Sequence, residues 1–177
     1  AAAVIVGEGE GARAGLADRL LSGAGIADVP EIAYLDADQA VCKSPVRPFI
    51  RSLDDLPFPA WDLVDVARYR AIWRAHHGYH SMNLATTRGC PYHCNWCAKP
   101  IYGQRYAVRS PARVAEEMAW LKRTWAPDHF SFVDDIFGLR PGWVQEFARA
   151  VAAQDARLPF RCLSRADLLG SDTVAAL

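Results

Sequence analysis

The sequence predicts an α/β fold in which short strands alternate with helices around a parallel sheet. Apolar segments of strand character lie near residues 82, 130 and 160, and segments with helical apolar stripes separate them. Strand–helix alternation with short turns is typical of βαβ units. Three such units make about half of a barrel, in which functional groups lie at the carboxyl ends of the strands.

The composition is that of a folded protein. Of the 177 residues, 51% are hydrophobic and 23% are charged, which excludes an intrinsically disordered chain. The 20 basic and 20 acidic residues cancel, so no excess positive charge is available for a general nucleic-acid binder. We expect no membrane span, because no apolar run approaches the roughly 18 residues that such a helix needs.

The first part of the chain is expected to form a strand, a helix and a hairpin. The apolar run 1–6 has no initiating Met or signal peptide, and it predicts a buried strand with neighbours on both sides. Helical spacing over 11–21, with Leu16, Leu20 and Leu21 on one face, ends at the stop signals Gly23 and Gly25. Residues 32–35 and 40–42 flank a four-residue turn and predict a β-hairpin.

The middle of the chain is rich in proline. Residues 44–61 are expected to form an extended linker, and a short helix is expected over 64–73. At the other end, Ser171 begins a helix that is very short without packing partners. Together with the apolar run at residues 1–6, this helix indicates an internal piece of a longer polypeptide.

The parallel units are expected from residue 81 onward. Met82 and Leu84 mark a first strand, and residues 130–133 and 160–163 mark the second and third strands. Pro111 opens a helix at the first helical position, where its missing N–H does no harm. Two apolar stripes predict the two intervening helices: Val114, Met118, Leu121 and Trp125 in one, and Trp143, Val144, Phe147 and Val151 in the other.

A loop with three cysteines follows the first of these strands. Cys90, Cys94 and Cys97 have C-x3-C-x2-C spacing, and the total of five cysteines is odd. This pattern indicates a metal site in a reducing cytoplasm and not a secreted disulfide framework. Three thiolates suit an iron–sulfur cluster with one open iron, whereas structural zinc would want a fourth ligand such as His93. We favour the cluster over zinc, and zinc over three inert thiols.

The cysteine spacing, with an aromatic residue before the last Cys, resembles the signature of radical S-adenosylmethionine (SAM) enzymes. The resemblance implies that Cys90, Cys94 and Cys97 bind a [4Fe–4S] cluster, whose fourth iron chelates SAM. An electron from the cluster would cleave SAM to methionine and a 5′-deoxyadenosyl radical. Trp96 takes the family's aromatic place near the adenine, and simple loop packing is its alternative role.

Further segments resemble the cobalamin (B12)-binding subgroup of this family, which includes the anaerobic magnesium-protoporphyrin IX monomethyl ester cyclase. They are residues 53–62, residues 103–111 and residues 4–10. The resemblance implies the first half of a radical SAM parallel (β/α) barrel, preceded by the terminal piece of a Rossmann-like cobalamin-binding domain. The implied boundaries are 1–27 for the cobalamin-domain end, 28–79 for the hairpin and linker, and 80–177 for the half-barrel. The D-x-H-x-x-G motif that supplies a cobalamin ligand is absent from the chain.

The resemblance implies a methyltransferase or an oxidative cyclase. It further implies a small-molecule substrate and an electron donor such as flavodoxin or ferredoxin, with cobalamin in the full-length protein. A radical SAM methylthiotransferase is one alternative, but it would need a second cluster domain, and only Cys42 precedes the loop. A zinc-stabilised binding module without catalysis is the other alternative.

Three charged residues after the later strands are candidates for SAM binding. One carboxylate of the pair Asp134 and Asp135 is expected to accept a hydrogen bond from the SAM amino group, unless both are solvated acids at a strand end. Arg165 is expected to pair with the SAM carboxylate in a bidentate manner. A structural ion pair with Asp167 is its alternative.

The remaining patterns are given ordinary structural roles. Residues 7–12 loosely match a dinucleotide-binding glycine pattern, but Glu8 and Glu10 place negative charge where a pyrophosphate would bind, so we reject that reading. Three histidines are expected to lie in a polar surface turn, and two cysteines are expected to be small buried residues. These are His76, His77 and His80, and Cys42 and Cys162.

Overall fold

The computed structural model describes residues 3–98 and 102–177, and its contacts divide the chain into two units. The first unit consists of Ala1–Arg51 and Pro91–Arg105. The second consists of Ser52–Cys90 and Tyr106–Leu177.

The first unit contains a three-stranded antiparallel sheet and one helix. Its elements are β1 (Ala3–Ile5), α1 (Glu10–Ser22), β2 (Ile32–Leu35) and β3 (Val41–Lys43), with the strands in the order β1-β2-β3. The hairpin predicted for β2 and β3 is confirmed, since Tyr34 pairs with Cys42. The predicted helix is also confirmed, and it ends at Gly23 in the left-handed conformation with φ 69°.

The prediction of a buried first strand is wrong for the described part, which excludes Ala1 and Ala2. Among the described residues, β1 pairs only with β2, and the side chain of Val4 is 59% exposed. The helix also buries less than expected, because Leu16 is buried whereas Leu21 is 88% exposed. The small core of this unit packs Leu16, Val29 and Ile32 together. This core buries only one side of β1 and of α1. An apolar run in the sequence does not show which side of a strand or helix will be buried.

The segment between the two sheets is largely extended, as its prolines predict. It holds two single 3₁₀ turns, at Leu53–Asp55 and Trp61–Leu63, and Leu53 is buried. Helix α2 (Val66–His77) begins two residues later than the sequence suggested. The reason is Asp65, whose carboxylate caps the helix by accepting the backbone N–H of Arg68 at 3.0 Å.

The second unit has a three-stranded parallel sheet, as predicted. Its strands are β4 (Ser81–Leu84), β5 (Thr87–Arg88), β6 (Ala107–Val108), β7 (His129–Phe132) and β8 (Phe160–Arg161), and its later helices are α3 (Pro111–Trp125), α4 (Trp143–Ala153) and α5 (Ser171–Ala176). The parallel sheet has the order β4-β7-β8, and β5 and β6 form a separate antiparallel pair. Leu84 lies opposite Phe132 in the register of β4 and β7. Strand β8 ends at Arg161, two residues earlier than predicted.

Helices α3 and α4 pack against each other and share one core with this sheet. The side chain of Ser110 caps α3 by accepting the backbone N–H of Arg113 at 3.2 Å. The predicted apolar stripes are confirmed, because Val114, Met118 and Leu121 are all at most 1% exposed. The core also contains aromatic rings from β7, from α4 and from the segment between them, namely Phe130, Phe132, Phe137, Phe147 and Trp143.

None of the helices in the described ranges combines the length and the apolar character that crossing a membrane requires.

Candidate functional site

The cysteine loop leaves the sheet at the carboxyl end of β4. Its two ends are joined by the β5–β6 pair, in which Thr87 lies opposite Val108 and Arg88 opposite Ala107. Gly89 follows in the left-handed region with φ 75°, a conformation that favours glycine. Cys90 comes next and is 7% exposed. The first cysteine is therefore buried two residues after β5, in the segment that follows the parallel strand β4.

Asp134 fixes the chain just before this loop. One carboxylate oxygen accepts the backbone N–H groups of Thr86 at 2.7 Å and Thr87 at 2.8 Å. The other accepts the hydroxyl of Thr86 at 2.7 Å. Burial raises the pKa of the Asp134 carboxyl, and the hydrogen bonds from the two threonines oppose that rise.

Arg109 holds the same chain segment from the other side. Its backbone N–H donates to the carbonyl of Thr86 at 2.8 Å, and its guanidinium donates to the carbonyl of Ala85 at 3.0 Å. The guanidinium also forms an ion pair with Glu117 of α3. The indole N–H of Trp143 donates to the Arg109 carbonyl at 2.8 Å. The segment after β4 is thus bonded to the residues that follow β6 and β7, and Arg109 connects it to α3.

The other two cysteines lie in the first unit and close to each other. The backbone N–H of Cys97 donates to the carbonyl of Cys94 at 3.3 Å. Both line a cavity of about 350 Å³ together with His93, Gly103 and Gln104. Cys94 is half-buried and Cys97 is exposed.

The donor set fits an iron–sulfur cluster in its chemistry. Cys90, Cys94 and Cys97 carry free thiols within eight residues, and Cys94 and Cys97 border an open cavity. Within residues 3–98 and 102–177, no three His, Cys, Asp or Glu side chains form a group that could hold a metal ion as they stand. The ligand role of the three cysteines therefore stays a prediction.

The residues predicted to bind SAM differ in their exposure to solvent and in their partners. Trp96 is 86% exposed, and Asp135 is exposed beside the buried Asp134. Arg165 makes the alternative ion pair named above, donating to both carboxylate oxygens of Asp167 at 2.9 and 3.0 Å. Hydrogen bonds from Arg165 lower the pKa of Asp167. The SAM roles of these residues stay predictions.

Three features of the loop base were not foreseen. Thr86 and Glu117 are buried polar residues. The partner of Thr86 is Asp134, 48 residues away, and the partner of Glu117 is Arg109, eight residues away. Tyr106 follows the loop, and burial raises the pKa of its hydroxyl to about 12, with the negative charge of Asp134 acting in the same direction. A polar residue inside the apolar stripe of α3, as Glu117 is, was the one available signal in the sequence.

The second unit has a cavity at the amino end of β4. It has a volume of about 470 Å³ and is lined at the amino end of β4 by Trp61, Tyr69, Trp73 and Tyr79 among others. His80 also lines it and is only 3% exposed. The prediction of a surface turn is therefore wrong for His80, because its backbone N–H binds Asp128 at 2.8 Å and draws the residue inward.

The other patterns have structural explanations. The carboxylate of Glu8 is buried and accepts the backbone N–H of Ile50 at 2.7 Å. Strands β1 and β2 pair antiparallel, whereas a dinucleotide-binding glycine motif requires a parallel βαβ unit. Cys42 and Cys162 were predicted to be buried, but both are only half-buried. Burial raises the pKa of the Cys162 thiol.

The chain resembles curated methyltransferases and cyclases. It is 27% identical over 176 residues to an uncharacterized methyltransferase of Pyrococcus horikoshii, covering 99% of this chain and 37% of the relative. It is 29% identical over 164 residues to the anaerobic magnesium-protoporphyrin IX monomethyl ester cyclase of Synechocystis, covering 93% of this chain and 32% of the relative. The chain thus spans about a third of the length of these relatives. No protein-family model matches it.

Solved structures share the fold. OxsB, a cobalamin-dependent radical SAM enzyme with aqua-cobalamin and SAM bound, matches with a TM-score of 0.74 at 17% identity, over 96% of this chain and 24% of OxsB. TsrM, a radical SAM methyltransferase from Kitasatospora setae with cobalamin and a [4Fe–4S] cluster bound, matches with a TM-score of 0.69 at 21% identity, over 98% of this chain and 36% of TsrM. The predicted resemblance to cobalamin-dependent radical SAM enzymes is confirmed. The mixed α/β fold corresponds to part of these larger structures.

Proposed function

We propose that this chain is the cluster-binding part of a radical SAM enzyme of the cobalamin-dependent kind, acting as a methyltransferase or an oxidative cyclase. The observation that carries the proposal is the position of the C-x3-C-x2-C loop. It begins at the carboxyl end of the parallel strand β4, and the β5–β6 pair joins its ends. In a parallel α/β enzyme this is the end of the sheet at which chemistry takes place.

The three cysteines have one role in this proposal. Cys90, Cys94 and Cys97 hold a [4Fe–4S] cluster through their thiolates and leave one iron open. When bound, the cluster would supply the electron for reductive cleavage of SAM. The structures of OxsB and TsrM support this assignment, since they share the fold and are described with SAM or a [4Fe–4S] cluster bound.

Three further residues orient SAM in the proposal. Asp135 accepts a hydrogen bond from the SAM amino group, because its carboxylate is exposed at the end of β7. Arg165 binds the SAM carboxylate. To do so, it gives up its ion pair with the exposed Asp167. Trp96 contributes its exposed indole ring as a stacking surface near the adenine.

The reaction would be completed by groups outside the described residues. A small-molecule substrate fits the relatives, which include a methyltransferase and a cyclase. A cobalamin bound by the full-length protein fits OxsB and TsrM, which are described with cobalamin bound. A flavodoxin or ferredoxin would donate the electron. The cobalamin proposal is tested by measuring whether the full-length protein retains about one equivalent of hydroxocobalamin on gel filtration. Retention of none would limit the proposal to radical SAM chemistry without cobalamin.

Metal analysis of single cysteine variants tests the cluster. After anaerobic reconstitution, iron and acid-labile sulfide should be found in the parent chain and lost when Cys90, Cys94 or Cys97 is replaced by Ser. The matched controls are Cys42→Ser and Cys162→Ser, which remove half-buried thiols outside the loop and should keep the cluster. Full iron content in any one of the three loop variants would contradict the assignment. Zinc in place of iron would indicate the non-catalytic binding module.

A further inference from the structure

We propose that Asp134 is a positioning residue that holds the stem of the cluster-binding loop, residues 86–90, and that Asp135 alone of the pair faces SAM. This inference rests on the proposed function and adds a residue to it. Asp134 touches neither the cysteines nor the cofactors in this proposal. It acts through the two threonines that lead into Cys90.

The hydrogen bonds of Asp134 carry the first step of the argument. Both carboxylate oxygens are engaged, one by two backbone N–H groups and the other by a hydroxyl. All three donors belong to Thr86 and Thr87, and Asp134 is 3% exposed. A carboxylate with these contacts is buried inside the protein, whereas its neighbour Asp135 is exposed.

The place of Asp134 in the sheet carries the second step. The main-chain ladder between β4 and β7 continues one bond past the strands, where the N–H of Val133 donates to the carbonyl of Leu84 at 2.8 Å. Asp134 is the next residue, and its side chain replaces the main chain as the acceptor for Thr86 and Thr87. The carboxylate thereby extends the pairing of two parallel strands to the point where the chain leaves for the loop.

The direction of the loop follows from these contacts. Thr86 is held on both sides, by Asp134 at its N–H and by the N–H of Arg109 at its carbonyl. Thr87 begins β5, and Cys90 lies three residues later. Loss of the carboxylate would leave two buried N–H groups without an acceptor, which is unfavourable enough to displace the stem. The position of the first cluster ligand therefore depends on Asp134.

Variants at the two adjacent aspartates test this role, with amide hydrogen exchange of the cluster-free chain as the first readout. Asp134→Ala should increase exchange at Thr86 and Thr87 at least tenfold. Asp134→Asn keeps a carbonyl acceptor of the same shape, so it should restore most of the protection. Asp135→Ala is the matched control and should leave the exchange unchanged. Equal protection in the Asp134→Ala variant would overturn the proposal.

Cluster assembly is the second readout. Asp134→Ala should lower the iron bound per chain several-fold and broaden the paramagnetic resonance signal of the reduced cluster, and Asp134→Asn should recover both. Asp135→Ala should bind normal amounts of iron but respond less to added SAM. Should Asp134→Ala fail to fold, Thr86→Val removes one of the three bonds and should lower iron binding in the same direction.

The outcomes separate this inference from the proposed function. A parent chain that binds no iron would contradict the proposed function, while the exchange data would still show whether Asp134 holds the stem. Normal iron content and an unchanged spectrum in Asp134→Ala, or in Thr86→Val where the former does not fold, would overturn the positioning role alone. If Asp134→Asn kept its cluster but its resonance spectrum changed less on addition of SAM, Asp134 would be a SAM-binding residue and not a positioning residue.

Discussion

Arg109 and Glu117 form an ion pair in which the carboxylate side chain is only 2% exposed and the guanidinium side chain is 13% exposed. Glu117 lies on α3 among apolar residues, and Arg109 lies beside the end of β4. Burial raises the pKa of the Glu117 carboxyl, while the positive charge of Arg109 opposes the rise. The pair links the helix layer to the base of the cysteine loop.

Removal of the charge from Glu117 should destabilise the second unit strongly. Glu117→Gln leaves the Arg109 guanidinium without its carboxylate, and breaking a buried pair in this way costs about 3–5 kcal/mol in the free energy of unfolding. Urea unfolding followed by circular dichroism measures the effect. Glu116→Gln is the control, because its side chain is 54% exposed and its pair with Arg113 should contribute less than about 1 kcal/mol. Equal losses in the two variants would show that the buried pair adds nothing to stability.

Truncation of Phe132 should leave a cavity in the aromatic core. Its ring centroid lies 4.9 Å from that of Phe137 and 5.1 Å from that of Phe160. Phe132→Ala should lower the free energy of unfolding by about 3–5 kcal/mol. The adjacent Val133 is 58% exposed, so Val133→Ala should cost less than about 1 kcal/mol in the same urea experiment. A loss below that of the Val133 variant would place Phe132 outside the core.

His80 should make the chain less stable in mild acid. Burial lowers the pKa of its ring below 6.5, and the positive charges of Arg70 and Arg74 add to this, while Asp128 opposes it. The unfolded chain therefore takes up a proton more readily than the folded chain, so stability is full above pH 6.5 and falls as the pH drops below it.

Urea midpoints at pH 7.5 and pH 5.5 measure this dependence. His80→Gln should reduce the loss of stability between the two pH values. It should not abolish the loss, because burial also lowers the pKa of His129. His76→Gln changes an exposed residue of α2 and should keep the full dependence. An identical slope in the parent and His80→Gln chains would refute the role of His80.

Trp96 should affect SAM binding without affecting the cluster. Replacing the exposed indole by Ala removes a stacking surface of about 0.5–1.5 kcal/mol, which corresponds to a roughly 2–10-fold weaker affinity for SAM. The affinity can be titrated through the change that SAM causes in the resonance spectrum of the reduced cluster. Iron content should stay at the parent level. An unchanged affinity would mean that Trp96 does not contact SAM.

The sequence alone predicted the elements whose signals are local. The capped start of α3 at Ser110 and Pro111 and its stripe of apolar residues required no knowledge of distant partners. The same is true of the cysteine spacing. Features that depend on pairing between distant segments were missed or misread. The exposed side of β1 depends on its pairing with β2, and the burial of His80 depends on Asp128.

The two adjacent aspartates show the same limit within the site. Asp134 and Asp135 are identical in type and adjacent just after β7, but only Asp134 is buried. Which of them is buried depends on Thr86, 48 residues earlier in the chain. Glu117 could have been noticed as a polar residue in an apolar stripe, but its partner Arg109 could not have been identified without the fold.

The separation of 48 residues between Thr86 and Asp134 also sets an order of events during synthesis. At about 5–20 residues per second, Asp134 is added to the growing chain roughly 2–10 s after Thr86. The three cysteines are translated within that interval, before the strand that anchors their loop exists. For several seconds the nascent chain therefore carries the three thiols without Asp134. A metal bound before β7 is complete would bind to a loop whose stem is not yet held in place.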